Sequence, residues 1–325
     1  MAVFTTLTPL EVRKELPDFN IGDLLSLEPI ASGIENTNYF LDTTEGRWVL
    51  TVFERLSESQ LPFYLELCAH LRSQGCPVAA PVRTKSGQLF SHITGKPFSI
   101  VNRLEGRSIE NVTAKECASM GEVLARMHIA ARGFSLFQEN LRGPQWWQAT
   151  APVVLPHLDP TVGAMLSEEV NHQLTVFSDS QFQALPVAAC HCDLFRNNAM
   201  IVGHGTEQEH VSGVFDFYFA GCTALLFDVA VTVNDWCTDF EAPDLHLDPR
   251  KTEAFLRAYH AVLPFTDAER RWWPDMLRAA ALRFWLSRLY DFYQPRKASL
   301  LKPHDPTYFE RILRNRKRVT FPLVD

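Results

Sequence analysis

The sequence predicts an α+β fold of two lobes, an antiparallel β-sheet lobe followed by a larger, mainly helical lobe. Three observations carry this expectation. The chain has 325 residues, more than one core usually organises. Its first hundred residues alternate short β-branched and aromatic runs with turn residues. After Gly106 the apolar residues recur at helical spacing. The boundary is expected at an extended crossover, Val101 to Gly106, so that residues 1–104 form the sheet lobe with a hinge at its end and 105–325 the helical lobe. Two lobes joined in this way leave a cleft, where ligands usually sit.

Along the chain, Glu28 to Asn36 reads as a strand running into a Ser-Gly turn. Thr37 to Asp42 and Arg47 to Phe53 read as a hairpin about Thr43-Thr44-Glu45-Gly46. Glu58 to Gln74 carries Leu61, Leu65, Cys68 and Leu71 at helical spacing and is closed by Gly75. Strands are expected around Gln88 to Ile93 and from Pro97 to Leu104. Thr113 to Ala131 opens with a capping box, Thr113 with Glu116. Ser167 to Phe177, Arg250 to Val262 and Asp267 to Tyr293 are further helices, and Val187 to Phe219 is a β-rich island among them.

Composition narrows the function. Hydrophobic residues at 46% and charged residues at 21% are ordinary for a soluble globular chain. A net charge of −7 argues against a nucleic-acid partner, which needs a clustered basic face. The one basic concentration, Arg311, Arg314, Arg316, Lys317 and Arg318, would spread around a helix and reads as a solvated face. The seven cysteines form no paired framework and no zinc spacing, and most sit among apolar residues. With no signal-like N-terminus and no bilayer-length apolar run, a cytoplasmic protein without a membrane partner is expected.

The chemistry concentrates in Ala189-Cys190-His191-Cys192-Asp193-Leu194-Phe195-Arg196-Asn197-Asn198, followed by Gly213-Val214-Phe215-Asp216. An Asp and an Asn five residues apart on a loop, then an acid ending an apolar strand, are the parts that phosphoryl transfer from ATP requires. One carboxylate receives or orients the acceptor hydroxyl proton; a second carboxylate and a neutral oxygen hold Mg²⁺ against the phosphates. Asp193 is the expected catalytic base, with Asn198 and Asp216 as metal ligands. An Asx turn is the plain structural alternative for Asp193 with Asn198, and a turn cap is that for Asp216. The polar run from Ser32 and Gly33 through Glu35, Asn36 and Asn38 reads either as a hairpin turn or as a loop covering phosphates. Trp236, Trp272, Trp273 and Trp285 read as core.

His-x-Asp-x-x-x-x-Asn at His191, Asp193 and Asn198, with the strand into Asp216, resembles the motif of aminoglycoside phosphotransferases and choline kinases, whose fold is protein-kinase-like. Leu124-Ala125-Arg126-Met127-His128 and Leu225-Leu226-Phe227-Asp228 look like further segments of that superfamily. The chain as a whole, from about residue 1 to about 315, is similar to the homoserine kinases of this fold. Gly33-Ile34-Glu35-Asn36-Thr37-Asn38, Val49-Leu50-Thr51-Val52-Phe53-Glu54, Asp216-Phe217-Tyr218-Phe219-Ala220 and the helix about Arg283 and Arg288 carry that similarity.

The resemblance implies ATP and Mg²⁺ as cofactors, L-homoserine as the small-molecule acceptor, and O-phosphohomoserine on the route to threonine as product. It implies support roles for His191 and Asp228, and adenine binding at hinge backbone about Asn102 and Arg103. Ser32, Gly33, Asn36 and Asn38 would cover the phosphates. Thr51 stands where superfamily kinases place a phosphate-pairing Lys, and Glu66 stands where that Lys would find its partner. A homoserine carboxylate needs a cation, for which Arg196 and Arg283 are candidates; its ammonium needs an acid, Asp235 or Glu35. Two alternatives stay open: a kinase of the same fold acting on choline, ethanolamine, methylthioribose or an aminoglycoside, and a silent nucleotide-binding pseudokinase.

Overall fold

A computed structural model describes residues 4–30, 36–294 and 304–324. The chain divides into two compact units, one holding described residues of 4–105 with Gly213–Phe215, the other those of 106–212, 216–294 and 304–324.

The first unit is a five-stranded antiparallel sheet of order β1-β2-β3-β5-β4, built from β1 (Leu24–Pro29), β2 (Thr37–Thr43), β3 (Gly46–Val52), β4 (Ser91–Ile93) and β5 (Lys96–Asn102). The first strand starts earlier than the sequence suggests and ends before Ile30, and residues 31–35, with Ser32, Gly33 and Glu35, lie outside the described residues. The period-2 pattern of β2 and β3 gives the sheet two different faces. Leu41, Leu50, Val52, Phe98 and Ile100 pack with Val12 and Leu16, beneath α1 (Pro9–Glu15). The other face carries a polar row, because Asn38 pairs with Thr51 and Thr51 with Ser99. The helix α2 (Leu61–Ser73) belongs to the same unit and buries Leu61, Leu65, Cys68 and Leu71. It begins three residues later than expected, where Pro62 occupies the first turn, a position that needs no N–H.

The second unit is built on α3 (Ala114–Ala131), α4 (Pro144–Val154), α5 (Pro160–Ser178), α6 (Ser180–Gln183), α7 (Leu225–Trp236), α8 (Pro249–Val262), α9 (Asp267–Tyr293) and α10 (Thr307–Arg318). Thr113 caps α3 with the reciprocal Glu116 bond expected of a capping box. Its partner α8 lies so close that a Cβ on Gly121 would stand 2.3 Å from the Phe255 carbonyl oxygen. Gly121 is what lets these two helices touch. β6 (Val187–Cys190) pairs with β9 (Gly221–Ala224), and β7 (Ala199–Val202) pairs with β8 (His210–Val214).

α10 corrects the reading of the C-terminal charges as a solvated face. Its Arg316 is buried and donates to Asn234 Oδ1, Thr238 Oγ1, Asn315 Oδ1 and the Leu245 carbonyl. Such a guanidinium leaves water only because almost every donor finds an acceptor. Trp236, Trp272, Trp273 and Trp285 are all core.

Candidate active site

β6 delivers the chain from a buried strand into His191-Cys192-Asp193, and a 3-10 turn at Arg196–Asn198 returns it to β7. Turning that sharply leaves backbone donors inside the protein, and Asp228 in the first turn of α7 receives them. Its carboxylate accepts the amide N–H of His191 at 2.9 Å and of Cys192 at 2.8 Å. His128 Nε2 stands 3.1 Å from Asp228 Oδ2, and His128 Nδ1 stands 2.8 Å from the Tyr259 hydroxyl. Burial pushes the Asp228 carboxyl up, yet the His128 hydrogen bond and charge, the His191 charge and the Cys192 amide together hold it below the usual carboxylate value. Asp228 and His128 are thus structural, and they tie α3, α7 and α8 to one loop. Trp236 adds an indole N–H to the Leu194 carbonyl at 3.1 Å.

Two non-glycine residues here take left-handed backbone conformations, Cys192 (φ +61°) and Asp216 (φ +66°). Conformations of this kind persist where surrounding contacts over-determine them, and they cluster at working sites. Phe217, next to Asp216, packs its ring against His191 with centroids 4.5 Å apart.

Asp193 and Asn198 are brought together: Asn198 Nδ2 donates to the Asp193 carbonyl at 2.8 Å and reaches its carboxylate at 3.4 Å. That bond orients the amide so that its oxygen is the atom left for a cation. Asp193 is 18% exposed at the side chain, and its own N–H points to His191 Nδ1 at 3.3 Å. Arg283 Nη2 from α9 lies 3.3 Å from Asp193 Oδ1. Burial raises the Asp193 carboxyl above the usual value, with the charges of Arg283, His191 and Arg288 opposing. Arg283 is itself pushed down to about 10 by burial. Cys190 and Cys192 line the same turn with thiols raised by burial and by the Asp228 charge.

Both arginines suggested for a substrate carboxylate already face an acid of the protein. Arg283 is only 5% exposed, faces Asp193 and lies over the Phe284 ring at 3.8 Å. Arg196 donates from both its backbone N–H and Nε to Asp235 Oδ1, from Nη1 to the Glu110 carbonyl, and stacks on Phe240 at 3.8 Å. Asp235 keeps a less occupied oxygen, Oδ2, with a 3.4 Å contact to Arg196 Nη2. The pair borders a cavity of about 530 Å³ that Ser108, Phe195, Arg288, His304 and Tyr308 also line. Tyr308 is a lining residue that the sequence did not signal, and Arg288 is one that the sequence ranked below Arg283. Tyr308 stands beside Phe309, Ile312 and Leu313, an i, i+3, i+4 apolar stripe that marks α10 as a packed helix.

In the first unit, Thr51 is buried and donates to Asn38 Oδ1 at 2.8 Å, so the two join in one cross-strand bond. Asn36 is buried as well. The amides of Asn102 and Arg103 are bonded to the carbonyls of Ala80 and Arg47, so any ligand at this stretch must use other backbone groups. The Arg103 guanidinium lies over Phe40 at 3.9 Å. Glu66 pairs with Arg83 at 2.9 Å on a half-exposed surface, in keeping with a surface role.

An Asp beside an Asn, on a loop buttressed by a buried Asp, is the arrangement expected of a phosphotransferase of the protein-kinase-like class. The chain belongs to the phosphotransferase enzyme family, whose pattern matches residues 26–273. Within that family it falls among the homoserine kinases. It is 51% identical to the homoserine kinase of Cupriavidus necator over 97% of this chain and 96% of the relative. With that of Paraburkholderia phytofirmans the identity is 50% over the same shares.

Solved structures of the same fold include an amicoumacin kinase in complex with AMP-PNP and Ca²⁺, at TM-score 0.69 and 16% identity, covering 95% of this chain and 92% of that one. A spectinomycin phosphotransferase in complex with ADP and spectinomycin follows at TM-score 0.61 and 12% identity, over 97% and 99%. The protein is an enzyme that transfers a phosphoryl group to an alcohol. No described helix is long and apolar enough to cross a membrane.

Proposed function

We propose that the enzyme phosphorylates the side-chain hydroxyl of L-homoserine with ATP, giving O-phospho-L-homoserine for threonine biosynthesis in the cytoplasm. The observation that carries this reading is the near-complete, half-identical match to homoserine kinases of two genera. The intact Asp193, Asn198 and Asp216 set counts against a silent pseudokinase.

Asp193 accepts or orients the hydroxyl proton as the oxygen approaches the γ-phosphorus in line. Its raised pKa makes it a better proton acceptor than an exposed carboxylate, and Arg283 keeps it ionised enough to act. The Asn198 amide oxygen and the Asp216 carboxylate are hard oxygen donors that would hold Mg²⁺, which would supply charge neutralisation for the nucleotide phosphates. Asn36, Asn38 and Thr51, with Ser32 and Gly33, serve the nucleotide phosphates through neutral donors in place of a lysine. Backbone about Asn102 and Arg103 serves the adenine through groups other than their bonded amides. Asp235, through Oδ2, takes the substrate ammonium; Glu35 is the other acid proposed for it.

ADP release with Mg²⁺-ATP tests this, comparing L-homoserine with choline, ethanolamine, serine and kanamycin. Saturable turnover with homoserine alone is expected. Turnover with a different alcohol in its place would keep the phosphotransferase and discard homoserine.

A further inference from the structure

If the acceptor is an amino acid, as proposed above, its carboxylate needs a cation close to Asp193. Of the arginines in that quarter, the structure separates Arg196, Arg283 and Arg288. Arg196 spends its guanidinium on Asp235 and the Glu110 carbonyl, and Arg283, almost wholly buried, directs Nη2 at Asp193 while its Nε is buried without a hydrogen-bond partner. Arg288, on the same helix α9, lines the 530 Å³ cavity together with Asp235 and Tyr308. Among the described residues its guanidinium makes no ion pair or hydrogen bond, although it is half-buried. Asp193, Asp291 and Asp235 act on it through their charge without bonding it, so its donors stay unspent, and a planar carboxylate bonded to both of its arms is its best complement.

Position agrees with chemistry. Asp193 feels the charges of both Arg288 and Asp235, so the cavity's two signs lie within electrostatic reach of the base. Homoserine presents the same arrangement in miniature, a hydroxyl on a short alkyl arm from a carbon bearing one anion and one cation.

We propose that Arg288 is the specificity-determining residue that anchors the α-carboxylate of the acceptor, with Asp235 Oδ2 on the same cavity receiving the α-ammonium. The inference rests on the homoserine reading and adds the residue that distinguishes an amino acid from a simple amino alcohol. Choline, ethanolamine and aminopropanol carry no carboxylate to engage Arg288.

The test uses the full-length enzyme at saturating Mg²⁺-ATP, as wild type, R288M and R288K, with L-homoserine and with 3-amino-1-propanol, which is homoserine without its carboxylate. In R288M the KM for homoserine is expected to rise on the order of a hundredfold. Its kcat, its KM for ATP and its kcat/KM for 3-amino-1-propanol should stay within about twofold of wild type, because losing a contact made equally in the ground and transition states moves KM alone. R288K keeps the charge but not the bidentate fork, and should fall between the two. Should R288M fail to fold, R288K carries the same comparison with a rise of about tenfold. An unchanged KM for homoserine, or an equal loss for both acceptors, overturns the role of Arg288. Failure of the wild type itself to use homoserine overturns the substrate reading instead, so the two failures are read from different lanes.

Discussion

The loop from His191 to Asn198 and the cavity beside Asp235 lie in the same unit and are built on opposite plans. Around the loop, buried donors are met from inside the protein: Asp228 collects two amides, His128 joins it, and Tyr259 joins His128. Around the cavity, charges are left partly unanswered. Asp235 has one loosely held oxygen, and Arg288 feels the charges of Asp193, Asp291 and Asp235 without a hydrogen bond or ion pair among the described residues. The loop is preorganised by contacts it already makes, whereas the cavity is informative through contacts it has yet to make. A loop that must present a base to a γ-phosphate gains from rigidity. A cavity that must recognise a zwitterion gains from keeping its charges available.

The comparison predicts where each kind of substitution registers. The largest effect falls on Asp193. D193N should lower kcat on the order of a thousandfold or more while thermal unfolding and ATP binding stay near wild type, as checked by ADP release, melting and nucleotide titration. Full activity in that variant removes Asp193 from the mechanism.

Next is Asp228, where the loss should appear as stability. D228A strands two buried amides and a buried imidazole, and should cost about 3–5 kcal/mol in denaturant unfolding. A change below about 1 kcal/mol would mean that the loop does not depend on this carboxylate.

The smallest effect is one of pH, and it separates the two carboxylates by sign. The Asp193 carboxyl is raised, so its ionised form opposes folding at neutral pH, and that cost is relieved as pH falls through the raised value. The Asp228 carboxyl is lowered, so its stabilisation is complete above the ordinary carboxylate pKa and is lost only as pH falls through the depressed value. On acidification kcat/KM should therefore fall first and reversibly, with an apparent pKa above that of an ordinary carboxylate, before the loop scaffold gives way. R283M should move that kinetic limb further upward, because it removes the charge that most opposes the burial of Asp193. A limb that stays in place would uncouple Arg283 from the base.

The legible parts of the sequence were those with local signatures. Thr113 with Glu116 announces the start of α3, and α9 spans Asp267 to Tyr293 as its periodicity indicates. The β2–β3 hairpin follows from its alternation. His191, Asp193 and Asn198 stand out by residue type and spacing, and the structure bonds Asn198 to Asp193. Long-range partnership is what sequence conceals. Arg283 and Arg288 read alike on an apolar helix, yet one is pinned to a carboxylate 90 residues earlier in the chain and the other faces a cavity. α7 is buried on every side from Leu225 to Trp236, so no apolar stripe marks its faces. In the C-terminal basic run the charges conceal an apolar stripe, and Arg316 has acceptors that come from segments some 70 to 80 residues away.

Cys192 sits beside the base in a left-handed turn, buried, with its thiol disfavoured as a thiolate. A sulfhydryl is thereby placed at the heart of the enzyme without becoming a target. Alkylating agents and peroxide act on thiolates that they can reach, and Cys190, Cys192 and Cys237 present neither the charge nor the access. In the native enzyme these three sulfurs should be spectators to oxidative stress. Their labelling in solution would report the moment at which the helical unit opens.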